Sequence, residues 1–414
     1  MKAKKIITLF LTASLLCTLL TACTNEMKSN QSAEEEEEQV AEFETWDGTV
    51  ATSFSAGDGS QDAPYEITTP AELAYLAKEV NGGNEYQGKF FSLKNNLDLA
   101  NLNWTPIGNG TYSFNGTIEG NGKTISNMKI AKVAYYETEN DLGKYSAGVA
   151  GLFGSCGNTT IKDLRIVDAV ISISNTADYD DLRVGTLIGK LAVDAGLSFE
   201  FNNIQISNAN ITTNNTNEQS SRKNYMAVGG MAGSVITNET GQGKLERISV
   251  ESDIQYTNSY HRSLNIGGIA GSIGNFNLFE CINFKNQTTI TADQSAFDSN
   301  IGTFGALTSA KGTLKLNCGF SSLTVDVPEC ETKAYAIAGN IAMINAATTP
   351  TYIFDNLHGN ITYNQKMNTH LYQIDDSKYV IETNCQGCDS LPANHGFDET
   401  VWDLNDKKNP TIKF

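Results

Sequence analysis

The sequence predicts an all-β protein: a single-stranded parallel β-helix (solenoid) with a short N-terminal capping helix. Three observations predict it. A six-residue Gly-rich arm recurs down the chain, a second strand-length segment recurs between its copies, and no stretch of the repeat region reads as a crossover helix. Composition agrees, because 36 Gly against 7 Pro in 414 residues favours many short strands and tight turns. The balance of 47 acidic against 29 basic side chains gives −18, a poor surface for nucleic acid.

The chain begins with a targeting segment, residues 1–22, which is left out of the fold. Lys2, Lys4 and Lys5 form a positive start, and Ile6 to Leu20 is an apolar stretch too short for a permanent spanning helix. It ends in Leu20-Thr21-Ala22-Cys23, which resembles the lipobox of bacterial lipoproteins. By that resemblance Cys23 becomes the acylated first residue, and its several chains hold the protein on a lipid bilayer. Loss of three lysines lowers the net charge to −21. Residues 23–45, with the run Glu34 to Glu38, have too little apolar content to order themselves and read as a disordered acidic tether.

Residues 46–384 are assigned to the β-helix with its N-terminal cap. The capping helix is predicted over residues 69–81. Thr69 fits the N-cap, Pro70 the first helical position and Glu72 the capping box. Leu73, Leu76, Ala77 and Val80 share one face, and Gly82 and Gly83 follow as a stop. The helix serves as a lid on the first coil, because both ends of a stacked rod expose strand edges.

The Gly-rich arm appears as Val149-Ala-Gly-Leu-Phe-Gly154, Val184-Gly-Thr-Leu-Ile-Gly189, Val228-Gly-Gly-Met-Ala-Gly233 and Ile266-Gly-Gly-Ile-Ala-Gly271. Degraded copies start at Ile301 and Ala334, so successive starts lie 35, 44, 38, 35 and 33 residues apart. The second segment reads Ile125–Ile130, Ile161–Ile166, Phe201–Ile206, Leu245–Val250, Phe279–Phe284 and Phe354–Gly359. Neither segment buries its apolar side alone; stacking copies in parallel makes one continuous core. The third position of the second segment holds Asn127, Asp163, Asn203, Arg247, Cys281 and Asn356, which reads as a corner ladder.

These residues carry a resemblance. The Gly151-Leu-Phe-Gly154 arm is similar to the GLUG motif of bacterial surface proteins, and Asp62-Ala-Pro-Tyr-Glu-Ile67, Trp104-Thr-Pro-Ile-Gly108, Phe114-Asn-Gly-Thr-Ile-Glu-Gly-Asn-Gly122 and Trp402-Asp-Leu404 fit the same pattern. It covers roughly residues 56–414 and looks most like Bacteroidetes-type surface lipoproteins. The resemblance implies a right-handed parallel β-helix, anchored in the bacterial outer membrane and facing the cell surface. Residues 385–414 are expected to close the far end of the core with Phe397, Trp402 and Leu404.

The residues that could carry chemistry are sparse. Cys385 and Cys388 form a lone CxxC without two further ligands for zinc, and in an exported chain a disulfide is the expectation. Cys281 and Cys318 fall at similar places in adjacent coils, where they could stack as reduced core residues or bond, and Cys156 is expected to be buried. His261, His358, His370 and His395 share no metal-ligand spacing. No metal and no cofactor is expected. A polysaccharide hydrolase needs two acids about 5–10 Å apart. No pair of acids aligns on adjacent arms, and Asp180-Asp181 are neighbours in a loop.

The longest inserts, 131–147, 174–183, 212–227, 255–265 and 291–300, fall at one phase of the repeat and so project from one edge. They carry Tyr135, Tyr136, Tyr145, Tyr179, Tyr225, Tyr256 and Tyr260. Tyr135, Tyr136, Tyr179, Tyr225, Tyr256 and Tyr260 are the candidate ligand-binding residues, since tyrosine gives wide contact with a polar tip. The expected function is binding or adhesion to a host protein or glycan, without catalysis. A polysaccharide-degrading enzyme, hydrolase or lyase, is the alternative reading, and a structural spacer is a third.

Overall fold

The computed structural model describes residues 42–140, 143–174, 180–214, 225–237, 240–257, 263–274, 276–292, 299–307, 312–326, 333–335, 351–363, 368–370, 380–387, 397–407 and 409–414. Cys23, the targeting segment and most of the tether lie outside them. The tether boundary moves inward: Phe43–Thr45 is a strand paired in parallel with Asn96–Asp98. This pairing closes strand groups that a solvated tether would leave open.

The architecture is a parallel β-helix. Each full coil gives one strand to each of three parallel sheets. A representative coil runs Ser198–Asn214 in the first sheet, Tyr225–Gly229 in the second and Ala232–Thr237 in the third. It then enters the next coil at Gln242–Thr257. The apolar letters of the second repeat segment stack inward, with Ile161, Phe201, Leu245, Cys281 and Leu316 in one register line. Adjacent coils are about 4.8 Å apart, so each inward side chain rests on its copy above and below. One apolar cluster runs from Trp46 to Leu357, and each large aliphatic or aromatic residue in it contributes roughly 1.5–3 kcal/mol by leaving water.

The capping helix spans Pro70–Asn81 with Thr69 as N-cap and a complete capping box to Glu72. Leu73, Leu76, Ala77 and Val80 are buried against the first coil. Gly82 ends the helix without a left-handed residue, and the left-handed turn falls one position later, at Gly83 with φ +105°.

Two turns shape each coil, and they work differently. The first is a bend inside the long first-sheet strand, made by one residue with positive φ. Asp163, Asn203, Arg247, Asn283, Cys318 and Asn356 occupy it, with φ between 50° and 60°. Asn203 donates to the Asp163 carboxylate beneath it. The corner therefore falls on Asn283, two residues after Cys281, which is instead fully buried in the core opposite Leu245. Asn127 also leaves the expected ladder: Ser126 pairs with Val167, which puts Asn127 level with Asp168 and Asn208 in a second left-handed column.

The second turn joins the second and third sheets at the Gly-rich arm. Leu182 and Val184 point into the core, as do Leu191 and Val193, so Arg183 and Lys190 point outward. Yet Arg183 Nη1 reaches Ser234 Oγ, 2.6 Å away in the third sheet. The outer faces of the two sheets must therefore confront each other, and the turn is concave. Glycine is what lets them close: a Cβ on Gly233 would lie 2.4 Å from Val184 N, and one on Gly271 would lie 2.4 Å from Val228 N.

Among the described residues, the C-terminal segment packs beside the first sheet and not within the main core. Trp402–Asp403 and Thr411–Ile412 form an antiparallel pair. Phe397, Trp402 and Ile412 pack with Cys318 and Phe320, a cluster separate from the main core. Cys318 and Phe320 face outward from the first-sheet bend, so this segment lies along the flank of the rod. Trp402 Nε1 donates to Asn283 Oδ1 at 3.0 Å, Lys285 Nζ to Asn409 Oδ1 at 2.7 Å, and Arg247 to the Lys413 carbonyl. Cys385 belongs to the last first-sheet strand, Val380–Gly387, so the stack runs past the expected boundary at 384. Cys388 lies outside the described residues.

Candidate functional site: the concave groove

The residue after the last glycine of each arm faces the groove. In stacking order these are Ser155, Lys190, Ser234 and Ser272. The opposite wall comes from the second sheet, where Arg183, Ala227 and Asn265 stack in register. Small residues let the walls approach, and all three serines are buried. Arg183 and Lys190 break this pattern by placing two cations side by side.

Arg183 is held by a fork of hydrogen bonds from Nε and Nη2 to Asp181, at 2.8–3.2 Å. Its guanidinium lies 5.2 Å from the centre of the Tyr225 ring. Burial pulls Arg183 down, but the Asp181 carboxylate more than offsets this and holds it charged, above its ordinary range. Lys190 has no such fork. Its ammonium sits 5.4 Å from the Tyr136 ring centre and 3.4 Å from the Tyr136 hydroxyl. Burial, and then the Arg183 charge, pull Lys190 below its ordinary value against the weaker opposing effect of Asp181. No carboxylate lies within ion-pair distance of it among the described residues. In a chain of net charge −18, the groove presents an amino group that no described carboxylate pairs with directly.

The predicted tyrosines divide. Tyr136 and Tyr225 come together around the two cations, and Tyr225 accepts a 2.9 Å hydrogen bond from Asn265 Nδ2. Tyr135, beside Tyr136 on the hairpin formed by Ala134–Asn140 and Gly143–Ala150, is 52% exposed. Tyr256 does not belong to a binding edge. The strand Gln242–Thr257 runs into the expected insert, its alternation continues through Ile254, and Tyr256 is only 1% exposed inside the core. Tyr179 and Tyr260 lie outside the described residues.

The acids weighed for catalysis are committed elsewhere. Asp181 is bound to Arg183, and Asp180 accepts from Ser146 N at 3.0 Å, tying two coils together. Among the described residues no group of His, Cys, Asp or Glu is gathered to hold a metal. Cys156, Cys281 and Cys318 are buried, and burial pushes the thiols of the first two well above the ordinary range. His358 is buried beneath Phe397, with ring centres 5.5 Å apart. Arg183, Lys190, Ser234 and Asn265 were not read from the sequence as site residues. The signal was there: three of the four intact arms end in Gly-Ser, and one ends in Gly-Lys.

No known protein-family model matches the chain. A stretch of 163 residues, 37% of the chain, is 32% identical to halomucin from Haloquadratum walsbyi and covers 2% of that protein. A stretch of 138 residues, 33% of the chain, is 29% identical to a protein from Evansella cellulosilytica, assigned provisionally as a Gly-rich membrane protein, and covers 14% of it. The chain thus spans a small part of the curated relatives it matches. No helix among the described residues is long and apolar enough to cross a membrane. Among solved structures, the chain is similar to a Bacteroides ovatus protein assigned provisionally as an immunoglobulin A1 protease. The TM-score is 0.56 at 15% identity, over 87% of this chain and 95% of that one. At this identity the likeness extends to the fold alone, a strand-rich parallel solenoid.

Proposed function

We propose that this is a surface-anchored β-helical lipoprotein that works by contact, holding its groove out to a host protein or glycan. Cys23 is the acyl anchor in the outer membrane, and the acidic segment after it spaces the rod from the lipid surface. The observation that carries the reading is Lys190. It stands in a column of serines, half-buried, without a carboxylate partner among the described residues and over the Tyr136 ring. Holding a cation there costs stability, and a ligand with an anionic group would offset that cost. Tyr136, Tyr225 and exposed Tyr135 add ring surface for a sugar or an aromatic side chain.

The test is a glycan-array and matrix-protein screen on the purified protein, with reducing-end release read in the same wells. Saturable binding without released sugar is expected, and Lys190→Met should weaken it about tenfold, as loss of one charge-assisted contact implies. Released sugar would replace this reading with the enzymatic one. Binding that survives Lys190→Met unchanged would remove the groove from it.

A further inference from the structure

We infer that the capped end carries a second ligand site, separate from the groove, that takes a neutral saccharide. A cavity of about 600 Å³ opens between the capping helix and the first coil. Trp46, Val50, Ala77, Asn81 and Trp104 are among its walls, and none of these belongs to the groove. A neighbouring cavity of about 310 Å³ shares Asn103, Trp104 and Thr105 with it, so the two form one cleft interrupted at Trp104. Each volume lies within or near the range of roughly 300–1,000 Å³ usual for small-molecule pockets.

The walls define the ligand. Trp46 and Trp104 meet edge to face at 5.7 Å, and each indole N–H is already used: Trp46 Nε1 donates to Thr49 O and Trp104 Nε1 to Leu152 O. Both are mostly buried, so they give the cavity apolar ring wall and no donors. Asn81 ends the helix, and its Nδ2 donates to Pro106 O at 3.0 Å. Its Oδ1 is buried without a hydrogen-bond partner. Such an acceptor is rare in a well-packed region, and a hydroxyl donated from a ligand would satisfy it. A ligand that presents C–H faces to indoles and O–H groups to an amide is a sugar ring. Among the described residues no carboxylate lines the cavity, and Lys78 in its wall disfavours a cationic occupant. Val50 at 46% and nearby Leu102 at 38% are exposed apolar side chains beside the opening, which fits a site built for contact.

The inference does not rest on the groove, and it has its own readout. The chain has three tryptophans, two of which line this cavity. In Trp402→Phe the remaining indole emission reports on the cavity alone. Neutral di- and tetrasaccharides, with uronate-bearing ones as a second arm, are titrated into this variant, and calorimetry on the unaltered protein provides the control for folding. A saturable emission shift with a neutral sugar is expected. Asn81→Leu should weaken it about tenfold, as one lost hydrogen bond to the ligand implies, and should lower the melting temperature by only a few degrees, about what loss of the Pro106 bond implies. No saturable response to any neutral sugar by either method would overturn the inference. So would a response to uronates alone, or unchanged affinity in Asn81→Leu.

Discussion

The bend in the first sheet and the turn between the second and third sheets look alike in the sequence, as small or polar letters between apolar runs. Their physics is opposite. The bend needs one residue in the left-handed region and leaves its side chain pointing into open space or toward a neighbour. It therefore accepts Arg247 and Cys318 as well as Asn and Asp, at a cost of about 1–2 kcal/mol for an ordinary side chain. The concave turn needs the absence of a side chain, because the backbone of the adjoining sheet occupies the place where a Cβ would go. A conformational demand is graded, whereas a steric demand at 2.4 Å is close to absolute. The bend could consequently recruit the C-terminal segment through Arg247 and Asn283, and the concave turn became a groove lined by whatever side chain follows the glycine.

The comparison predicts unequal damage. Gly233→Val should be the most destabilising, by about 3 kcal/mol or more, through overpacking against Val184 N. A denaturant titration that finds it no worse than substitutions at the bend would undo the distinction. Asn203→Val should cost about 2–3 kcal/mol, from the left-handed penalty of a branched residue and the lost bond to Asp163, while Asn203→Gly should cost only about 1 kcal/mol, from the bond alone. Equal losses from the two variants would show that the hydrogen bond, not the conformation, holds the corner.

The smallest effect concerns pH. Lys190 is held below its ordinary value of 10.5, so the folded state binds its proton less readily than the unfolded chain does. The penalty is present in full below the folded-state value and is relieved as pH rises through that value toward 10.5. The natural protein should gain stability across that alkaline window, and Lys190→Met should lack the gain while being no less stable at neutral pH. Parallel stability profiles for the two proteins would mean that the groove imposes no cost on the ammonium.

One slip in the reading of the sequence was a whole step of the strand period. Phe279-Glu-Cys-Ile-Asn-Phe284 kept its inward and outward alternation when shifted by two residues, so the apolar pattern could not tell Cys281 from Asn283 as the corner. The segment at Asn127 slipped by five residues: the pairing sets Asn121 and Gly122, both left-handed, opposite Asp163 at the corner, and leaves Asn127 level with Asp168. Tyr256 was misplaced because the length of a strand is decided by its partner: pairing with Leu278–Ala292 extends it into the insert and turns the ring inward. The capping helix was legible in full, since its cap, first-turn proline and apolar face are local signals.

The sequence by itself determined the all-β solenoid, the phase of most Gly-rich arms and the helical lid, because periodicity, glycine spacing and capping are carried by neighbouring residues. Tertiary structure decided that Arg183 and Lys190 share a groove, that Asn81 and two indoles line a cavity, and that the described C-terminal residues pack along the flank. Each of these depends on which outer faces meet when the coils stack. That is set by the angles of two turns, and no local run of letters encodes it.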